Sequence, residues 1–112
     1  MNRFAVIGMG RFGRKLAQSL TEAGNEVIAI DIRSEMAEGM RDEVALAVRM
    51  DATDVEALKA QGVERVDAAI VCIGEDFEAN ALATAILKEL GVRRVISRAA
   101  TAIQAKILSR IG

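Results

Sequence analysis

The sequence predicts an α/β fold in which helices flank a doubly wound parallel sheet. Two observations carry this prediction. Short apolar runs rich in β-branched residues alternate with longer stretches in which apolar residues recur every three or four positions. A Gly-x-Gly-x-x-Gly pattern directly follows the first apolar run. The 112 residues suit one domain, so we expect a Rossmann-like sheet with strand order 3-2-1-4-5.

Five apolar runs are predicted to form the strands of this sheet: Phe4–Ile7, Val27–Ile30, Val44–Val48, Ala68–Ile73 and Val95–Ser97. The fourth run is apolar throughout, which fits a strand buried on both faces. In the first helix Phe12, Leu16 and Leu20 recur every fourth residue and predict one apolar stripe. A short second helix is expected within residues 34–41.

The later helices carry start and stop signals. Thr53 or Asp54 can cap a third helix that ends near Gly62. Asp76 is the candidate N-cap of the fourth helix, and Gly91 is its candidate stop. The last helix, residues 101–111, has apolar residues on one face: Ile103, Ile107 and Ile111, with Leu108 adjoining.

Composition excludes several classes of site. The chain has no histidine, tyrosine or tryptophan and one cysteine, so imidazole catalysis, histidine-ligated metals and cysteine zinc cages are ruled out. Fifteen basic against sixteen acidic residues argue against a nucleic-acid-binding domain. The apolar runs are too short for a signal peptide or a membrane span. We therefore expect a cytoplasmic protein.

The glycine motif predicts a phosphate-binding turn. Gly8 permits a tight turn, Gly10 lets a pyrophosphate approach the backbone, and Gly13 allows the helix to pack closely on the sheet. Amide groups at the start of the helix would then face the phosphates. The alternative is a glycine-rich turn with no ligand.

Asp31 ends the second strand, where an acid in this fold accepts hydrogen bonds from the adenosine ribose. A carboxylate there favours ATP, ADP, AMP or NAD over a nucleotide with a 2′-phosphate. Arg33 weakens that preference because its guanidinium can pair with a 2′-phosphate. Arg33 can equally be a solvated loop residue with no ligand contact. The alternative for Asp31 is an acidic residue that ends the strand and binds no ligand.

Three further strand ends meet at the same edge of the sheet. The loop Asp51–Thr53 suits an adenine edge, although a plain helix cap explains it equally well. Gly74 leaves room beside a ligand, and Arg98 can reach phosphate oxygens or form a surface salt bridge. Cys72 lies in an apolar strand, so we expect a buried, inert thiol.

With these motifs assembled, the chain resembles the RCK family, also called KTN or TrkA-N, the regulators of potassium conductance. The resemblance covers essentially all of the chain. It is carried by the motifs GMGRFG at residues 8–13, DATD at 51–54, CIG at 72–74 and KILSRIG at 106–112, with the segments around Asp31 and residues 87–92. The combination is far more specific than any one motif.

The resemblance implies residue roles that spacing alone does not give. Arg11 resembles the family arginine that senses a terminal phosphate and separates ATP from ADP, and Arg98 matches a basic residue near the phosphates. Asn80 matches a frequent polar position to which we assign no role. The candidate cofactor-binding residues are Gly8, Gly10, Arg11, Phe12, Gly13, Asp31, Ile32, Arg33, Asp51, Ala52, Thr53, Ile73, Gly74 and Arg98.

The resemblance also implies a regulatory function. Family members bind ATP, ADP or NAD(H), assemble as dimers and octameric rings, and gate a membrane potassium-translocating subunit at the inner face of the cell membrane. The second ligand-binding lobe of the family is missing after residue 112, so we expect either a truncated chain or a short member. Gln104 stands where the family often has histidine. The competing function is the cofactor-binding half of an NAD-dependent dehydrogenase, and a third candidate is an interaction scaffold with a vestigial pocket.

Overall fold

A computed structural model describes residues 1–74 and 76–111 of the chain. It contains one parallel sheet of five strands in the order β3-β2-β1-β4-β5. The predicted fold class and strand order are therefore confirmed. The strands are β1 (Arg3–Ile7), β2 (Glu26–Asp31), β3 (Leu46–Arg49), β4 (Ala68–Val71) and β5 (Val95–Ser97).

Helices connect successive strands, as βαβ units require. They are α1 (Arg11–Glu22), α2 (Ser34–Glu38), α3 (Val55–Ala60), α4 (Phe77–Glu89) and α5 (Ala102–Ile111), with a 3₁₀ turn at Val63–Arg65 between α3 and β4. The strand order reverses between β1 and β4, so the carboxyl ends of these two strands flank the point where ligands bind in doubly wound sheets. Among the described residues, no helix is long and apolar enough to cross a membrane.

Two apolar layers hold the sheet, one on each face. Alternate residues of the central strands point to opposite layers: Ala5 and Ile7 of β1 belong to one, and Val6 belongs to the other. The first layer is closed by Leu58 of α3 and Leu87 of α4, both fully buried. The second layer is closed mainly by α1 and α2.

Several predicted boundaries shift in the structure. β4 ends at Val71, two residues before the predicted end. The backbone N–H of Cys72 still donates to the carbonyl oxygen of Ile7 in β1 at 2.7 Å, and the chain leaves the sheet after it. β3 begins at Leu46 rather than Val44, because the residues before it form a turn.

The predicted stripe on α1 was wrong at Phe12. Its side chain is 50% exposed, whereas Leu16 and Leu20 are partly buried and pack against the second apolar layer. The face of α1 that meets the sheet is formed by the small residues Gly13 and Ala17, which are the buried ones. Small residues bring the helix axis close to the sheet, so the larger Phe12 is left at the rim.

Candidate functional site

The carboxyl ends of the strands surround a cleft of about 400 Å³. Thirteen of the fourteen predicted site residues line it; the exception is Gly13. Six lining residues were not predicted: Ile7, Ile30, Met50, Cys72, Asp76 and Ala79. The sequence therefore placed the cleft correctly, and contact of these residues with a nucleotide stays a prediction.

Each glycine of the turn between β1 and α1 has a distinct geometric reason. Gly8 has φ +101°, and a Cβ there would lie 2.8 Å from the carbonyl oxygen of Cys72. A Cβ at Gly13 would lie 1.8 Å from the carbonyl oxygen of Gly8, so this residue allows the helix to pack against the turn. A Cβ at Gly10 would meet no atom of the described residues within 4 Å. Gly10 thus borders open space in the cleft, where a ligand backbone contact can form.

The first turn of α1 is suited to an anion. Among the described residues, no side chain is found capping this helix terminus, and the first turn contains no acidic residue. It begins instead with Arg11, an exposed cleft residue. Acidic residues are normally favoured at this position because the helix dipole is positive there. Uncapped amides together with an arginine are the arrangement that binds phosphate at a helix N-terminus.

Arg98 faces the same end of the cleft. Its guanidinium carbon lies 5.5 Å from the centre of the Phe12 ring, a cation–π distance. A Cβ at Gly74 would lie 3.2 Å from Arg98 Nη1, so the glycine leaves room for this side chain. Among the described residues, the ion pairs found do not include Arg98. The exposed ring of Phe12 therefore has a structural reason: it supports Arg98.

Asn80 also positions Arg98, a role the sequence analysis did not assign. Its side chain is 1% exposed, and its Nδ2 donates a hydrogen bond to the backbone carbonyl of Arg98 at 3.1 Å. The link joins α4 to the chain just after β5. The available signal was a polar residue on the buried face of α4, which also holds Ala83, Thr84 and Leu87, because a buried amide requires a polar partner.

The end of the cleft that is predicted to hold the ribose is built around Asp31, whose side chain is 4% exposed. Burial raises the pKa of this carboxyl, but hydrogen bonds from the side chain and backbone of Arg33 and from the backbone of Met9 outweigh burial. The pKa therefore lies below its usual value of 3.8. Asp31 is ionised at neutral pH and already paired.

The loop after β3 forms a local turn of its own. The backbone N–H and the hydroxyl of Thr53 both donate to Oδ1 of Asp51, at 2.9 and 2.7 Å, and lower the pKa of that carboxyl. The cap of α3 is Asp54, which accepts from the N–H of Ala57 at 3.1 Å. This geometry decides between the two predicted caps.

Cys72 lies at the floor of the cleft, 4% exposed. Burial raises the pKa of its thiol to about 11, although the positive charge of Arg98 acts in the opposite direction. The thiol is therefore protonated at neutral pH, which agrees with the predicted inert cysteine.

Comparison with known proteins identifies the family. The family model of the TrkA-N domain matches residues 4–112. The chain belongs to the TrkA-N domain family. The resemblance proposed from the motifs is thus confirmed, although the final residue of the terminal motif, Gly112, lies outside the described residues.

Two curated relatives of this TrkA-N domain are about twice as long as the chain. The chain is 43% identical over 109 residues to Ktr system potassium uptake protein C of Bacillus subtilis (strain 168), covering 97% of this chain and 49% of the relative. It is 36% identical over 110 residues to Ktr system potassium uptake protein A of Vibrio alginolyticus, covering 98% and 50%. The chain therefore spans about half the length of these relatives.

Solved structures agree with the fold of this TrkA-N domain. One is the NAD(P)-binding domain of an exopolyphosphatase-related protein from Archaeoglobus fulgidus, with a TM-score of 0.88 and 28% identity over 100% of this chain and 84% of that chain. Another is the GsuK RCK domain, with a TM-score of 0.84 and 27% identity over 99% of this chain and 24% of that chain.

Proposed function

We propose that this TrkA-N domain is the nucleotide-sensing part of a regulatory protein that controls potassium movement through a membrane protein. An adenine nucleotide, either ATP or ADP or else NAD(H), binds in the cleft and changes the orientation of paired domains. A membrane potassium-translocating subunit responds, and its cytoplasmic face holds the domain at the inner side of the cell membrane. The names of the two Ktr potassium uptake relatives support this assignment.

The start of α1 carries the nucleotide part of the proposal. No side chain within residues 1–74 and 76–111 caps its amide groups, Gly10 opens on the cleft, and Arg11 is the first helical residue. The 400 Å³ cleft that begins there has the size of a small-molecule site. Phosphates would lie against this helix terminus, with Arg98 nearby, and the adenosine would extend towards Asp31 and the Asp51–Thr53 loop.

Regulation follows from differential affinity. A nucleotide shifts the arrangement of paired domains only to the extent that it binds one arrangement more tightly than the other. We assign the domain no reaction of its own, because the sequence has neither histidine nor tyrosine to act as a proton donor beside a cofactor. The dehydrogenase alternative keeps one supporting observation, the NAD(P)-binding name of the Archaeoglobus neighbour.

Titration calorimetry with ATP, ADP, NADH and NADPH in parallel tests the proposal. We expect ATP or ADP to bind preferentially, and we expect no oxidation or reduction of either nicotinamide cofactor. Exclusive binding of a nicotinamide cofactor would favour a redox sensor or the dehydrogenase half. Failure of all four to bind would refute the nucleotide proposal.

The role of Arg11 is tested by Arg11→Ala, with Arg14→Ala as the matched control. Both arginines are exposed in the first turns of α1, but only Arg11 lines the cleft. Arg11→Ala should weaken ATP by about tenfold, the scale of one charge-assisted hydrogen bond. The affinity for ADP should fall less than the affinity for ATP, since the arginine is proposed to contact the terminal phosphate of ATP. Equal losses for the two nucleotides, or an equal loss in Arg14→Ala, would contradict the role.

The proposal includes self-association through α5. Leu108 is buried against the domain, whereas Ile103 is 72% and Ile107 43% exposed on the same helix. An exposed apolar face of this kind is typical of an interface. We propose at least a dimer, and an octameric ring in the context of a longer chain.

Sedimentation of Ile107→Asp tests the interface, with Leu46→Asp as the control. Leu46 is 40% exposed and lies on β3, at the opposite edge of the sheet from β5. We expect the wild-type and control chains to dimerise at micromolar concentration and the Ile107 variant to be monomeric. A monomeric wild-type chain would contradict the proposal.

A further inference from the structure

The carboxylate of Asp31 has its acceptor positions filled by the protein itself. Its Oδ2 accepts from the backbone N–H of Met9 at 2.7 Å and from Nη2 of Arg33 at 3.1 Å. Its Oδ1 accepts from the backbone N–H and from Nε of Arg33, at 2.8 and 3.0 Å. A carboxylate offers about four lone-pair positions. These four hydrogen bonds therefore leave no position for two ribose hydroxyls.

The four bonds differ in how easily they can be released. The two backbone donors are fixed by the turn after β1 and by the chain after β2, so they cannot move without changing the fold. The other two bonds come from the guanidinium of Arg33, on a side chain that is 48% exposed and lines the cleft. Only the guanidinium can leave Asp31 while the backbone stays in place.

We propose that Arg33 is a latch on the ribose subsite: its guanidinium occupies Asp31 and must be displaced by an adenine nucleotide that carries free 2′- and 3′-hydroxyls. Arg33 therefore lowers the affinity for such nucleotides and is a specificity-determining residue of the cleft. This inference rests on the proposed function. Each ribose hydroxyl replaces one charge-assisted hydrogen bond, so the binding free energy includes the cost of opening the ion pair.

The sign of the effect separates a latch from ordinary electrostatics. Removing a positive charge beside a site for phosphate normally weakens binding, because the attraction to the anion is reduced. Removing a latch strengthens binding, because Asp31 is then available from the start. Arg33→Ala is therefore expected to raise affinity, whereas a distant arginine-to-alanine change lowers it slightly or leaves it unchanged.

The experiment is titration calorimetry of the wild-type, Arg33→Ala and Arg41→Ala chains with ATP and with 2′-deoxy-ATP. Arg41 is the matched control because it is an exposed arginine outside the cleft, paired with Glu38 at 2.7 Å. We expect Arg33→Ala to bind ATP about three- to tenfold more tightly, the scale of a half-exposed charged pair. The gain in affinity should be smaller for 2′-deoxy-ATP, because this nucleotide has one ribose hydroxyl fewer to donate to Asp31. Arg41→Ala should show no gain.

A second variant guards against a loss of structure in Arg33→Ala. Arg33→Lys keeps the charge beside Asp31 but lacks the planar fork that makes two parallel bonds, so it should show part of the gain. Circular dichroism of both variants checks that the fold is retained.

The outcomes separate failure of the latch from failure of the proposed function. ATP binding by the wild-type chain with unchanged or weaker binding by both Arg33 variants would overturn the latch alone. A preference for NADPH over NADH that disappears in Arg33→Ala would also overturn it, because Arg33 would then be a ligand contact. Absence of binding to the wild-type chain and to both variants would overturn the proposed function, and the latch with it.

Discussion

The two ends of the cleft differ in how far they are prepared for a ligand. At the phosphate end, the first turn of α1 is uncapped and Gly10 borders open space. At the ribose end, Asp31 is buried and fully engaged with Met9 and Arg33. The first end can accept an anion without rearrangement, whereas the second must exchange internal hydrogen bonds for ligand bonds. Phosphate groups are therefore expected to supply most of the initial affinity, and the ribose to supply selectivity.

Gly10→Val gives the largest expected effect, because it blocks the phosphate end. The residue has φ −71°, which valine can adopt, and a Cβ meets nothing within 4 Å, so the fold should persist while binding of ATP is abolished. Gly13→Ala is the contrasting change, since its Cβ would lie 1.8 Å from the carbonyl oxygen of Gly8. It should lower the free energy of unfolding by about 1–3 kcal/mol. Denaturant unfolding and calorimetry measure both quantities.

This pair of variants would contradict the account if their effects were exchanged. A destabilised Gly10→Val chain would mean that the space beside Gly10 is part of the packed fold. Full stability in Gly13→Ala would mean that α1 does not pack on the turn as closely as described.

Asp31→Asn tests the ribose end through stability, without any ligand. The folded pKa of Asp31 is lowered, so its carboxylate stabilises the fold above the unfolded pKa of 3.8, and this stabilisation is lost as the pH falls through the folded pKa. At pH 7 the free energy of unfolding of the variant should be about 1–2 kcal/mol lower than that of wild type. The difference should shrink below pH 3.8. Urea unfolding at several pH values measures it.

Asp67→Asn is a suitable control for the pH series, because this carboxylate is also bonded to a backbone N–H, that of Arg3 at 2.8 Å, but lies far from the cleft. A difference between wild type and Asp31→Asn that stays constant down to pH 2 would contradict the described pairing.

Phe12→Leu gives the smallest expected effect and sharpens the description of the phosphate end. Loss of the ring removes the surface against which the Arg98 guanidinium packs. The guanidinium is then more mobile in the free protein and loses more conformational entropy when ATP binds. ATP affinity should fall about two- to fivefold, the scale of an exposed cation–π contact. Phe12→Tyr retains a ring and should bind like wild type. An equal loss of ATP affinity in Phe12→Leu and Phe12→Tyr would mean that the effect comes from the shape of the cleft rim and not from the cation–π contact.

The sequence predicted the sheet and the placement of the cleft because both follow from local patterns. Strand periodicity, the glycine turn and the acid after β2 are each readable from a few neighbouring residues. Phe12 was predicted both as a site residue and as part of the apolar stripe with Leu16 and Leu20, and only the second prediction was wrong: the close packing of Gly13 leaves Phe12 at the rim.

Contacts between distant residues were also not predictable. Asn80 and the Arg98 carbonyl are eighteen positions apart and meet only when α4 packs beside β5. The bidentate pair of Arg33 with Asp31 is local in sequence, yet whether an arginine two positions on turns back to the acid or faces solvent depends on side-chain geometry. Spacing alone does not settle such a choice.

¹H–¹⁵N NMR during parallel titrations with inorganic triphosphate and ATP distinguishes the prepared phosphate end from the latched ribose end. We expect the backbone amides of residues 10–13 to shift with both ligands. The Nε resonance of Arg33 should shift with ATP only, because triphosphate carries no ribose. An Arg33 Nε shift of equal size with triphosphate would show that the ribose end is not latched, and unchanged amides at residues 10–13 with ATP would show that phosphate does not bind at the start of α1.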